Sequence, residues 1–236
     1  MNPHHQEILA QIEANSGKPT QHTFLDSYLG NNHPRYAISS PVLRSIAKVW
    51  CQSHRQLPAK DFQKVLDSLI KGKSATEKCM AGILLDACTA DQRKFDPACF
   101  DAWLEHLMGW AEIDTLCTGK YSATEIPANW KFWQKELSRF SKSKNINKRR
   151  ASLVLLCSTL RNQADEKFVT QALQNVSRLS HEKEILITKA ISWVLRSGVK
   201  HNKKIVSAYV ARNKAALPAI AVRETSAVLK TGTKTK

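Results

Sequence analysis

The chain lacks most of the features that announce an enzyme class. Its six cysteines, Cys51, Cys79, Cys88, Cys99, Cys117 and Cys157, contain no Cys-x-x-Cys pair, and none stands at ligand spacing from a histidine. A zinc ribbon and a dithiol redox centre are therefore excluded, and the thiols read as small core residues of a reduced, cytoplasmic protein. His181-Glu182 begins like a zinc-protease helix, but Ile185 stands where the second histidine belongs, so no metal is expected. There is no Gly-rich phosphate loop and no nucleophile elbow, and no cofactor is expected. No long stretch alternates apolar and polar residues as a half-buried strand would. No apolar run approaches a membrane span, and the first residues, which include His4, His5, Glu7 and Glu13, lack the apolar core of a secretory signal. A soluble protein with no membrane partner is expected.

Acidic residues are also scarce. Against 36 Lys+Arg there are 20 Asp+Glu, which leaves a formal charge of +16 and a pI near 9.7. The excess is spread along the chain, which predicts a polyanionic partner, nucleic acid first; the plainer alternative is a merely soluble basic surface.

What the chain does have is helical periodicity almost throughout. His4–Ser16 places Ile8, Leu9 and Ile12 together, and a short segment Thr20–Leu29 carries Phe24, Leu25 and Tyr28. Ser40 and Pro41 open a helix whose apolar face is Leu43, Ile46, Ala47 and Trp50, with Arg44 and Lys48 on another face. Phe62, Val65, Leu66, Leu69 and Ile70 form the cleanest amphipathic stripe, and Ala75–Asp91 is apolar on more than one side, as an inner helix is. Pro97 is expected to start another helix, Gly109 to break it, and the Trp110 segment to continue to Cys117 and Tyr121. Asn129–Phe140 follows, and Asn147 is a candidate N-cap for Lys148–Leu160. Asp165–Leu179, Glu182–Arg196, His201–Arg212 and Ala219–Lys230 complete the set. About a dozen helices in a rhythm of about 35 to 45 residues per pair or triplet fall in the range of helical repeat arrays. The expected architecture is one all-α domain over residues 1–230, with a frayed basic tail at 231–236. Stacked pairs curl into a superhelix whose concave face can hold a duplex.

The chemistry-bearing residues sit at three places. Trp110 and Asp114 are four residues apart, about 40° apart around a helix and one turn apart along it. Trp193 lies with Lys189, Arg196 and Lys200 on one stripe of a helix, and a cation-rich stripe is a poor place for a core aromatic. Arg149-Arg150 follows the basic loop Ser141–Lys148, which holds Lys142, Lys144 and Lys148. Alone, each tryptophan reads as a core residue and Asp114 as a solvated one, and the basic loops read as solvated faces. Trp50, Trp103, Trp130 and Trp133 recur with Leu, Ile or Phe at helical spacing and are assigned to packing.

Together these residues resemble the AlkD-like DNA alkylation repair family, glycosylases built from HEAT-like repeats. The resemblance runs from about Phe24 to Arg212. It rests on Tyr28 through Pro41 and Arg44, on the Trp110/Asp114 pair, on an arginine opening the long buried helix, and on Lys189–Arg196. The Arg149-Arg150 doublet leaves open which arginine faces the site. The resemblance implies a right-handed superhelix of HEAT-like repeats with a concave basic DNA-binding face. It implies Asp114, Trp110 and Trp193 as catalytic residues. It also implies DNA contacts by Arg150 or Arg149, Tyr28, Arg44, Lys48, Lys148, Lys189, Arg196, Lys200, Lys203 and Lys204. The expected activity is a monofunctional glycosylase that excises cationic N3- and N7-alkylated purines from double-stranded DNA, acting as a monomer. The alternative is a helical-repeat DNA-binding module without chemistry; a protein-interaction scaffold fits the net charge less well.

Overall fold

The computed structural model describes residues 1–16, 18–20 and 30–233. Among these the chain forms twelve helices, and the sole extended pairing is an isolated antiparallel bridge between Thr20 and Arg35. The segment with Phe24, Leu25 and Tyr28 lies outside the described residues. No helix among those described is long and apolar enough to cross a membrane. Contacts divide the chain into two compact units, Met1–Leu116 and Cys117–Lys236.

In the first unit, α1 spans Pro3–Ala14, and the Asn2 side chain caps it by accepting from the His4 N–H at 2.9 Å. α2 (Ser40–Ser53) has Ser39 at its N-cap, one residue before the Ser40 expected there. α3 (Ala59–Ile70) buries the whole of Phe62, Val65, Leu66, Leu69 and Ile70, as their spacing predicts. α4 (Ala75–Ala87) opens on a capping box in which Ser74 and Glu77 satisfy each other's backbone N–H. It is the inner helix, buried on several sides through Met80, Ala81, Ile83, Leu84 and Leu85. α5 (Cys99–His106) buries Phe100, Trp103 and Leu104, and α6 (Gly109–Cys117) follows. The Trp110 helix does not continue to Tyr121: Gly119 at φ 106° interrupts it, a backbone state that costs a glycine little.

The second unit contains α7 (Lys120–Ala128), α8 (Trp130–Phe140), α9 (Ile146–Asn162), α10 (Glu166–Leu179), α11 (Ile185–Arg212) and α12 (Ala219–Thr231). α9 is its central helix, buried at every residue from Arg150 to Leu160. Its N-cap is Asn145 and not Asn147; the Asn145 side chain accepts from the Asn147 N–H at 2.8 Å. Buried amides fasten the neighbours. Asn175 of α10 donates to the carbonyls of Ser152 at 3.0 Å and Leu137 at 3.4 Å, while Gln171 donates to Asn175. The two helices expected at 182–196 and 201–212 are present, and the kink between them lies at Asn202 (φ −124°, ψ 39°), later than expected. Gly198 does not break this helix; it admits close packing, since a Cβ there would lie 3.1 Å from Val206 and 3.5 Å from Val169. Near its start α9 meets Leu186 of α11, and near its end it meets Lys200, so the two helices run parallel with α10 between them in sequence. Parallel alignment of helices two apart is the signature of stacked helical pairs.

The packing assignments of Trp50, Trp103 and Trp133 agree with the structure, which buries all three, and half-buried Trp130 packs edge-on against Phe168 with centroids 4.9 Å apart. All six cysteines are free. Burial pushes the thiols of Cys51 and Cys79 up to about 12 and that of Cys88 up to about 11.

Candidate nucleic-acid interface

In the first unit, what positions Trp110 and Asp114 is a carboxylate between them. Glu112, on the first turn of α6, is wholly buried. Its Oε2 accepts from the Met108 N–H at 2.8 Å, and its Oε1 accepts from His33 Nδ1 at 2.9 Å and from the Asn31 side-chain amide. Asn31 also donates to the Met108 carbonyl at 3.0 Å and accepts from the His33 N–H at 2.7 Å. Residues 31–33 therefore hold the start of α6 through a group whose negative charge suits a helix N-terminus. Farther along, Gly82 of α4 lies so close that a Cβ would fall 2.4 Å from the Thr115 carbonyl carbon and oxygen. The helix is fixed at both ends. Trp110 and Asp114 are both half-buried on it. Burial first, then the charge of Glu112 and, further down, that of Asp114 push the Cys79 thiol up, against the Thr115 hydroxyl and Arg35.

In the second unit, Arg161, Trp193, Arg196 and Lys200 line one groove of about 510 Å³, with Ser197, Val199, Val228 and Gly232. Three of the four residues of the anticipated stripe meet there; Lys189, half-buried, is not on its lining. The Arg161 guanidinium stands 5.8 Å from the Trp193 ring centroid, and its Nη2 donates to Ser158 Oγ at 3.3 Å. Lys200 Nζ donates to the Arg161 carbonyl at 3.0 Å, a cation placed at the C-terminal end of α9 where the helix dipole favours it. Arg196 Nε lies 3.3 Å from Glu224 Oε2, an oxygen that also accepts from Ser192 at 2.6 Å.

The arginine doublet divides into two environments. Arg149 is committed to structure: Nε and Nη2 donate to the two Glu182 oxygens at 2.8 and 3.1 Å, and Nη1 donates to the carbonyls of Ser143 and Lys144, each at 2.9 Å. Arg150 is buried and donates from Nη1 to the Leu186 carbonyl, seven residues before Trp193 on the same helix. Lys148 is buried too. Lys203 and Lys204 are exposed just past the interruption at Asn202. Arg44 and Lys48 are exposed, one turn apart on α2. Tyr28 is outside the described residues.

Two participants were not visible in the residue pattern. Glu112 has the composition signature of any solvated helix acid, and only its contacts with residues 31–33 reveal it. Arg161 ends a long apolar helix like an ordinary terminal cation; its place follows from α9 running parallel to α11.

A model of the family described as DNA alkylation repair enzyme matches residues 8–229 of the chain. Among solved structures, the chain is similar to one described as a predicted DNA alkylation repair enzyme from Enterococcus faecalis. The TM-score is 0.71 at 17% sequence identity, over 89% of this chain and 94% of that one, a likeness of fold. No curated protein matches the sequence.

Proposed function

Because the chain belongs to the DNA alkylation repair enzyme family, we propose that it is a monofunctional DNA glycosylase that releases cationic N3- and N7-alkylated purines from duplex DNA. The observation that carries this reading is the division of labour on α6. Glu112, wholly buried, pins the start of the helix, and this holds half-buried Asp114, two residues on, with Trp110 one turn before it on the same side.

An N3- or N7-alkylated purine already bears positive charge, so the base needs little help as a leaving group. The remaining barrier is oxocarbenium character at C1′ of the deoxyribose. In this reading Asp114 stabilises that cation and orients water. As the N-glycosidic bond breaks, its electron pair neutralises the base; water oxygen bonds C1′, and the proton it loses passes to the carboxylate. Trp110, on the same helix, offers its π-face to the developing charge. A preorganised anion beside such a transition state is worth several kcal/mol, against about 0.5 to 2 kcal/mol for each aromatic contact. The carboxylate therefore dominates the chemical step. Arg161, Lys200, Lys203, Lys204, Arg44 and Lys48 supply phosphate contacts, which set affinity without reading sequence. In the second unit Arg149 is held by Glu182, and Arg150, more deeply buried, by the Leu186 carbonyl.

The test is single-turnover release of free base from duplex DNA containing N7-methylguanine or N3-methyladenine, comparing the unmodified protein with Asp114→Asn at matched low salt. Release that falls by at least about a hundredfold in the variant, with binding kept, supports the reading. If neither protein releases base yet both bind duplex with a steep salt dependence, the chain is a DNA-binding module and the enzyme proposal is lost.

A further inference from the structure

His4 and Glu7 lie one turn apart on α1, and His54 forms the C-cap of α2; one ligand atom from each lies within 4.8 Å of the other two. The arrangement converges on a single oxygen. His4 Nδ1 and His54 Nε2 both stand 3.5 Å from Glu7 Oε2. In a tetrahedral centre with metal–ligand bonds of about 2.0 to 2.2 Å, neighbouring donors stand about 3.3 to 3.5 Å apart. Two edges of the triangle already have that length.

The hydrogens point the same way. His54 Nδ1 is 2.9 Å from the Trp50 carbonyl oxygen, which can only accept, so Nδ1 carries the hydrogen. Nε2, the other ring nitrogen, then faces the Glu7 carboxylate at 3.5 Å, where either a proton or a metal ion can join the two. A carbonyl on the far ring nitrogen is also what orients a metal-bound imidazole. The C-terminal end of α2 adds a dipole that favours positive charge at His54.

Packing holds the donors in place. Trp50 stacks on His54 with centroids 4.3 Å apart and planes 16° apart, and its Nε1 donates to Glu7 Oε2 at 3.0 Å. His4 meets both rings edge-on, at 5.5 and 4.8 Å. The donors remain reachable: the side chains of His4, Glu7 and His54 are 32%, 48% and 21% exposed. Glu7 and Trp50 also border a groove of about 330 Å³, which leaves room for water at an open coordination position.

We propose that His4, Glu7 and His54 bind a divalent late first-row metal ion, zinc above all, and that the ion clamps the N-terminal helix to the C-terminal end of α2. Two imidazoles and one carboxylate form a donor set that suits zinc, cobalt and nickel better than magnesium or calcium. Nothing in the glycosylase reading requires this ion, so the two proposals stand or fall separately.

The experiment is a calorimetric titration of tag-free, chelator-treated protein with Zn²⁺ at neutral pH, with Co²⁺ absorption in parallel. The expected result is one site, the visible bands of four-coordinate Co²⁺, and a Zn²⁺-dependent rise in Tm. His54→Ala and, separately, Glu7→Gln should each weaken binding at least about tenfold. Glu7→Gln keeps an acceptor for Trp50, so its loss of binding does not reflect unfolding. The proposal is overturned if the protein takes up no Zn²⁺, or if both variants bind it as tightly as the unmodified chain.

Discussion

Arg161 and Trp193 face each other across neighbouring helices, the guanidinium 5.8 Å from the indole centroid, and Lys200 donates to the carbonyl of that same arginine. They come from α9 and α11, 32 positions apart in sequence, and meet because the helices run parallel. Arg161 has no carboxylate partner among the described residues, whereas Arg196 has Glu224 and Arg149 has Glu182. A cation without an internal counter-charge, resting on an aromatic face, is poised for an external anion.

Arg161→Ala should therefore weaken binding to undamaged duplex and lower the slope of log K against log salt by about 0.9 for each phosphate that the arginine had neutralised. Arg149→Ala should leave that slope unchanged and lower the melting temperature instead, since it breaks a half-buried bidentate pair and two hydrogen bonds to carbonyls. Fluorescence anisotropy at several salt concentrations, with thermal melts of both variants, checks the contrast. An unchanged slope for Arg161→Ala would remove it from the DNA-binding surface.

Gly82→Ala tests how α6 is seated. In an isolated helix the change gains about 1 kcal/mol. Here the added Cβ would meet backbone atoms of Thr115 at 2.4 Å and of Leu116 at 2.7 Å, which no side-chain rotation relieves. Overpacking of this kind costs about 1 to 3 kcal/mol, so the net effect is destabilising and base release falls as Asp114 shifts. Calorimetry showing a raised Tm would mean that the two helices separate easily.

Helix existence was legible because it depends on local periodicity. Phe62, Val65, Leu66, Leu69 and Ile70 announce a face that the fold buries whole, and the spacing of Trp193, Arg196 and Lys200 survives as the wall of one groove. Boundaries were less legible where a side chain two residues away decides them, as Asn145 does for α9. The groups that tune the candidate sites were not legible at all. Glu112 meets His33 and Asn31 at separations of 79 and 81 residues, and His54 meets Glu7, on α1, at a separation of 47; no short-range pattern encodes these contacts.

Acid should act on the fold partly through Glu77. Burial alone would raise this carboxyl, but hydrogen bonds from His5 and Ser74 and the attraction of His5 hold it below its ordinary value of 4.5. A depressed folded value means that the stabilisation is fully present above that ordinary value and is lost as pH falls toward the folded one. Denaturant melts at stepped pH should show stability dropping below about pH 4.5, and Glu77→Gln should be less stable at neutral pH with a flatter acid limb. An identical acid limb in the variant would assign the loss to other carboxylates.

Glu112 and Asp114 should separate stability from activity. Glu112→Gln is isosteric, but its amide offers one oxygen where the carboxylate used two. Either the Met108 N–H, or His33 and Asn31, would then face a donor. An unsatisfied buried donor costs about 1 to 3 kcal/mol, so the melting temperature drops. The start of α6 loosens, and base release falls as a consequence of a misplaced Asp114. Asp114→Asn should lower the rate far more than Glu112→Gln does. Melts and single-turnover assays on the two variants decide it. If Glu112→Gln lowers the rate with the melt unmoved, the buried carboxylate takes part in the chemistry and the division of labour along α6 is wrong.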